Sequence, residues 1–168
     1  MDDLAALIEP HIPALRRYAW AMLHDPDAAD DLVQDTLEHA VRRWQLRRQE
    51  GDVRGWLFTI EHNLFVSLKR RWARRGLHVS LDEALAVPGA TAAEEQINMG
   101  DLLAGLDRLS IEQRSALLLV GVEGLSYAQA AQVLGIPVGT LMSRLSRGRE
   151  RLQAYLDTGQ APRLRRVK

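Results

Sequence analysis

Apolar residues in this chain recur at helical spacing in one window after another, and turn-forming residues separate the windows. That pattern constrains the fold more than any other feature, because a stripe repeating every three or four residues has to be buried as a helix face. Leu4, Leu7, Ile8, Leu15, Tyr18, Ala19 and Met22 carry the first stripe across Asp2 to Leu23, with Pro10 and Pro13 placed to bend or delay it. Asp25 or Asp27 can cap a second helix reaching about Trp44, with Ala28, Leu32, Leu37, Ala40, Val41 and Trp44 as its expected core face. A third helix is expected from about Val53 to Arg74, buried along Leu57, Ile60, Leu64 and Leu68. Period is then lost through Pro88 and Gly89, which marks a linker. Helices resume at Ala92 to Leu106, from Ser110 to about Val122, at Ser126 to Leu134, and from Val138 to about Leu156. The expected fold is all-α: two small helical domains, of three helices at 1–75 and four at 92–158. A flexible linker at 76–91 joins them, and a basic tail at 159–168 follows.

Composition narrows the function classes. The 168 residues contain no cysteine, which excludes disulfides, thiolate zinc sites and cysteine nucleophiles and fits the cytoplasm as the expected compartment. The acidic start, Met1 to Leu7, does not read as a signal peptide. No apolar run is long enough for a membrane span. The formal net charge is zero, yet the charges are segregated. Six acidic and no basic residues lie between Asp25 and Glu38; six basic residues lie between Arg54 and Arg75 against Glu61 alone; eight lie between Val138 and Lys168 against Glu150 and Asp157. Such segregation points to a basic face for phosphates and an acidic face for a different partner.

The stretch Gly124 to Leu152 has the logic of a helix-turn-helix. Ala131 is small where two helices cross, and Gly135 can take the left-handed conformation that ends the first helix. Ile136, Pro137 and Val138 form the turn, and Leu141, Leu145 and Leu152 anchor the second helix. Thr140, Ser143, Arg144, Arg147 and Arg149 are then directed mainly outward, toward a major groove or its phosphates.

The run LSYAQAAQVLGIPVGTLMSRLSRGRERL resembles the −35-binding region of the extracytoplasmic-function group of the sigma-70 family, and LDRLSIEQRSALLLVGVEGLSY resembles the segment leading into it. Met142 stands where many members carry a basic residue, which bears on −35 preference. DPDAADDLVQDTLEHAVRRW resembles the helix that such factors dock on core RNA polymerase, with Asp30, Asp31, Leu32, Gln34 and Asp35 on the motif. An acidic surface with Leu32 or Val33 exposed would suit a basic, apolar-edged partner. GDVRGWLFTIEHNLFVSLKRRWARR resembles the −10-reading region. The resemblance implies that its loop and helix capture a flipped base. Asn63 can bond a base edge; Asn63, Ser67, Arg70 and Arg74 share a helical stripe, and Lys69, Arg70, Arg71 and Arg74 can neutralise phosphates. Arg54 is a candidate for the pocket rim, and Trp56 is expected in the core. Asp-Val-Arg at 52–54 departs from the small or aromatic residues usual there.

The resemblance implies core RNA polymerase and promoter DNA as partners, with an anti-sigma protein as a regulator. The linker, His78 to Ala92, either threads the polymerase channel or acts as a tether. The alternative is a stand-alone helix-turn-helix regulator with a dimerising or sensing N-terminal domain. Its weakness is that it does not explain an acidic helix followed by a basic, asparagine-bearing one. An enzyme is not expected: His11, His24, His39, His62 and His78 lack metal-ligand spacing, and no phosphate loop or nucleophile elbow occurs. No cofactor or metal is expected.

Overall fold

The computed structural model describes residues 2–47, 51–76 and 93–158. The linker expected at 76–91, beyond Gly76, and the tail at 159–168 lie outside the described residues. All regular elements among the described residues are helical.

The two prolines break the first helix instead of merely bending it. Helix α1 (Asp2–Ile8) passes through a 3-10 turn (Glu9–His11) into α2 (Ile12–Leu23). Pro10 and Pro13 each sit in a first turn, where a missing N–H costs little. His24 closes α2 in the left-handed conformation, φ 55°, and its N–H donates to the Trp20 carbonyl at 2.8 Å. Asp25 then caps α3 (Pro26–Arg42), accepting from the N–H groups of Asp27 and Ala28 at 3.0 and 3.2 Å. Asp52 caps α4 (Val53–Arg74) by accepting from the Arg54 and Gly55 N–H groups. A Cβ on Gly55 would lie 2.7 Å from Asp52 Oδ2, so a larger residue there would make the capping carboxylate shift.

The N-terminal core gathers Leu15, Tyr18 and Met22 of α2, Leu32, Val33 and Ala40 of α3, and Leu57, Phe58 and Phe65 of α4. Two expectations are corrected here. Val41 is 51% exposed, because α3 faces α2 and α4 through Ala29, Leu32, Val33, Thr36 and Ala40 instead. Thr36 is tolerated there because its hydroxyl donates to the Leu32 carbonyl at 2.8 Å. On α4 the fully buried stripe is Leu57, Phe58, Glu61, His62 and Phe65, while Ile60, Leu64 and Leu68 are only half-buried. The stripe is rotated because α4 is covered on a second side by the C-terminal helices.

Those helices are α5 (Ala93–Asp107), α6 (Ile111–Leu117), α7 (Tyr127–Leu134) and α8 (Val138–Asp157). Helix α6 runs directly into a π turn, Leu118–Val122, where the expected helix was continuous. Capping boxes at Ser110–Gln113 and Ser126–Gln129 start α6 and α7. Gly135, φ 66°, ends α7, and the Ile136 N–H donates to the Ala131 carbonyl at 3.0 Å. Gly148 of α8 lets α6 cross closely, since a Cβ there would lie 3.1 Å from Leu117 Cδ1.

The two helical units pack on one another, α7 lying against α4, and their buried apolar side chains form one continuous cluster. Because Gly135 holds a left-handed conformation, Gly135→Ala should cost about 1 kcal/mol. A melting curve checks this; an unchanged or raised melting temperature would contradict the turn geometry.

Candidate polymerase and promoter interfaces

On α3 the acidic residues and the apolar residues part company. Asp30, Asp31, Gln34 and Asp35 are exposed, as an acidic docking face requires. Leu32 and Val33 are each 3% exposed, so neither supplies its apolar edge. Both belong to the face that α3 turns toward the core, as expected of Leu32 from the apolar stripe, and this corrects the expectation that Leu32 or Val33 is an exposed docking edge. The apolar edge comes from α4: a cleft of about 260 Å³ between the two helices brings Leu64, Leu68 and Trp72 beside Asp31 and Asp35. Arg71 lines the same cleft, on the acidic side of α4.

The expected −10 stripe is intact at its polar positions. Asn63, Ser67, Arg70 and Arg74 are all exposed along one line of α4. Lys69 is not a free cation. It is half-buried, with Nζ 5.8 Å from the Phe65 ring centroid and 5.4 Å from that of Trp72. Burial lowers its pKa, with Arg114 adding to the effect and Asp107 opposing it. Trp56 is half-buried against the core, edge-on to Trp44 at 5.9 Å. Arg47 stacks over Trp44 at 4.3 Å. With Asp52 and Trp56 it forms one wall of a cleft of about 350 Å³, and Gln129, Gln132 and Val133 of α7 form the other.

On α8, Thr140, Met142, Ser143, Arg147 and Arg149 are exposed, while Leu141 and Leu145 are buried beneath them. Arg144 is less exposed than expected: it is half-buried, and its charge acts on His62 of α4.

A polar layer between the two units was not anticipated from the sequence. Glu123, just after the π turn, is buried; its two carboxylate oxygens accept from Arg17 Nε and Nη2 at 2.9 and 2.7 Å. Arg54 Nη2 donates to the Glu123 carbonyl and lies 3.5 Å from its carboxylate. Arg114 is buried and donates to the carbonyls of Leu106, Asp107 and Leu109, and across to Met22 of α2 at 3.3 Å. His24 Nε2 lies 3.0 Å from Asp107 Oδ1. Gln129 Nε2 donates to Asp52 Oδ2 at 3.2 Å. Tyr18 and His62 share a hydrogen bond at 3.0 Å. Glu61 is fully buried, with no hydrogen-bond partner on either carboxylate oxygen. The one signal available in the sequence was a set of charged residues inside otherwise apolar helical windows.

Known proteins agree with this architecture. The family described as the Sigma2 domain of PhyR matches residues 8–62, and Sigma-70, region 4, matches residues 99–152. Together these define a protein of the sigma-70 type with both regions present. The ECF RNA polymerase sigma factor EcfG of Rhodopseudomonas palustris is 39% identical over 158 residues, spanning 92% of this chain and 83% of the relative. SigE of Mycolicibacterium smegmatis, also an ECF sigma factor, is 36% identical over 161 residues, spanning 93% and 62%. In structure, the sigma factor RpoE of Bartonella quintana, solved in complex with the anti-sigma factor NepR, superposes with a TM-score of 0.82 at 33% identity. That match covers 94% of this chain and 98% of RpoE. CnrH, solved with the cytosolic domain of CnrY, gives a TM-score of 0.69 at 28% identity over 92% and 88%. The chain belongs to the extracytoplasmic-function (ECF) RNA polymerase sigma factors of the sigma-70 family.

The buried polar layer gives stability a pH dependence. Burial, reinforced by Arg144 and opposed by Glu112, lowers the His62 pKa from 6.5 to about 4. The folded chain therefore takes up that proton less readily than the unfolded one. Its contribution is intact above about pH 6.5 and is lost as pH falls toward 4. Glu61 behaves in the opposite sense: burial, then the nearby Glu123, raises its pKa well above 4.5, so its contribution is lost as pH rises. Glu61→Gln should raise the melting temperature at pH 8 and change it little at pH 4.5. An equal effect at both values would contradict the assignment.

Proposed function

We propose that this chain carries core RNA polymerase to promoters, reading the −35 element as duplex and the −10 element as opened strand. The observation that carries this reading is the placement of three chemically distinct exposed faces on one chain. These are an acidic face on α3, a stripe bearing Asn63 and arginines on α4, and a basic face on α8. Residues 1–75 would form the polymerase-docking and −10 unit and residues 92–158 the −35 unit, with the linker at 76–91 between them.

In this reading Asp30, Asp31, Gln34 and Asp35 meet a basic partner surface, and Leu64, Leu68 and Trp72 supply the apolar contact that Leu32 and Val33 cannot. Asn63 has the donor and acceptor needed to read the edge of an unstacked base. Ser67, Arg70 and Arg74 track the backbone of the opened strand, while Arg71 and Lys69 are placed less directly for it. Thr140, Met142, Ser143, Arg147 and Arg149 would contact the −35 duplex, joined by the half-buried Arg144. The factor performs no bond chemistry itself, since the polymerase does, and it works in the cytoplasm where core polymerase resides. No helix among the described residues is long and apolar enough to cross a membrane.

The sigma factor RpoE, which this chain resembles, is held by the anti-sigma factor NepR, and that supports an anti-sigma partner here. An apolar cleft of about 620 Å³ between α2, α3 and the C-terminal unit offers it a seat, with Trp20, Leu103 and Leu118 inside and Arg17 and Asp30 at the rim. A stand-alone regulator would have no use for the acidic face of α3.

In vitro transcription on fragmented genomic DNA tests the reading. Purified core plus this chain should yield discrete start sites that core alone does not, and their absence would overturn it. Arg147→Ala should weaken −35 duplex binding and lower its salt dependence by about one counterion, leaving co-elution with core unchanged. Asn63→Ala should slow promoter opening more than duplex binding. Equal loss on a pre-melted template would assign Asn63 to base readout instead of opening.

A further inference from the structure

Helix α8 carries two flanks of different chemistry. Thr140, Arg144 and Arg147 follow one another at helical spacing along one flank. Val138, Met142 and Arg149 follow one another along the other. The first two turns of that second flank present apolar side chains and no cation. Val138 is 42% exposed and Met142 50%, at the N-terminal end of the helix, the end a recognition helix brings to base edges. A lone apolar residue on a surface is ordinary. Two on successive turns of one flank are not required for packing here, because Leu141 and Leu145 already hold α8 on its domain from the buried side.

Between the flanks lie Gly139, Ser143 and Ser146, all exposed. A Cβ on Gly139 would meet nothing within 4 Å, so this end of the helix is open to a partner. The Ser143 hydroxyl donates to the Gly139 carbonyl at 3.2 Å, which commits its proton inside the helix. The ridge is therefore low, and a duplex edge can come close enough for the chain of Met142 to lie on it.

We propose that Met142 determines −35 specificity by packing its thioether chain on the 5-methyl group of a thymine in the major groove, with Val138 flanking the contact from the preceding turn. The inference rests on the reading above that α8 enters the −35 duplex. It adds which base is read there and by which atom.

Thymine is the base that presents an apolar group, its C5 methyl, on the major-groove edge. A basic side chain, which many family members carry at this position, bonds guanine or phosphate instead. Methionine has no charge and no donor, so it does neither. It is unbranched and polarizable, and it fits irregular apolar surfaces. Half of it faces water in the free chain, and covering it with a methyl group removes apolar surface of both partners from water. Over guanine or cytosine the same side chain would cover polar atoms and return no hydrogen bond, which is unfavourable. The phosphate grip does not depend on position 142, since Arg147 and Arg149 are exposed on opposite flanks.

Holoenzyme assembled from core polymerase and the full chain tests the proposal by selection on promoters whose −35 window is randomised. One base pair should be fixed as thymine on one strand. Met142→Arg should move the preference at that pair away from thymine toward guanine and leave the rest of the element unchanged. Replacing that thymine by deoxyuridine removes the methyl group alone and should weaken binding about fourfold, the worth of one buried methyl. Met142→Ala should lose this dependence on the methyl group, and Met142→Leu, which keeps the apolar area, should retain it. Position 142 is half exposed, so all three variants should melt as the parent does. Deoxyuridine without effect at every thymine of the element would overturn the proposal. So would a selected element without thymine, or an undiminished loss on deoxyuridine in Met142→Ala. Holoenzyme that starts transcription at discrete sites but selects no −35 sequence would overturn the placement of α8 in the duplex, and the proposal with it.

Discussion

A carboxylate removed from water must be matched by cations or take up a proton, and the two buried glutamates between the helical units take opposite courses. Glu123 is matched: two nitrogens of Arg17 hold its oxygens, and Arg54 approaches from the other unit's α4. Glu61 is unmatched, and burial drives it toward the protonated form. The arrangement of the whole chain depends on this pairing. Arg17 and Arg54 come from the N-terminal unit, and Glu123 from just after the π turn of the C-terminal one. A buried ion pair of this kind is a poor source of net stability against an apolar contact of equal volume. Its value lies in fixing orientation, and in being exchangeable for another anion.

The helix-turn-helix therefore has two uses for its two helices. Helix α8 presents Thr140, Ser143 and Arg147 outward on a scaffold of Leu141 and Leu145. Helix α7 packs on α8, with Ala130, Ala131 and Val133 buried, and at the same time closes the cleft beside Trp56. Gln129 shows the economy of this arrangement. Its carbonyl oxygen completes the capping box with Ser126, and its amide nitrogen reaches Asp52 of the other unit. A single side chain thus ties the start of α7 to the start of α4.

The sequence made the local structure legible wherever a backbone requirement had one chemical solution. The cap at Asp25, the helix starts at Val53, Ser110 and Ser126, and the left-handed stop at Gly135 all follow from such requirements. What could not be read was which side of a helix would be covered twice. Periodicity marks an apolar stripe but not its neighbours, so it puts Val41 inside with Leu32, and only Leu32 is buried. Lys69 and Arg144 were read as free cations, because nothing local to their helices shows the aromatic rings or the second unit beside them. The Arg17–Glu123 ion pair joins residues 106 positions apart in sequence, beyond the reach of any pattern along one helix. The acidic and basic faces were legible because like charges had been grouped along the chain, and grouping survives folding.

The most direct test of the account is a combined footprint on a promoter identified by this chain. Permanganate reactivity reports unpaired thymines at the −10 element, and hydroxyl-radical cleavage reports protection at the −35 element. The account predicts both signals together only when the chain and core polymerase are both present, and neither at full strength with the chain alone. Protection of the −35 duplex at equal strength by the free chain, with no opening when core is added, would contradict it.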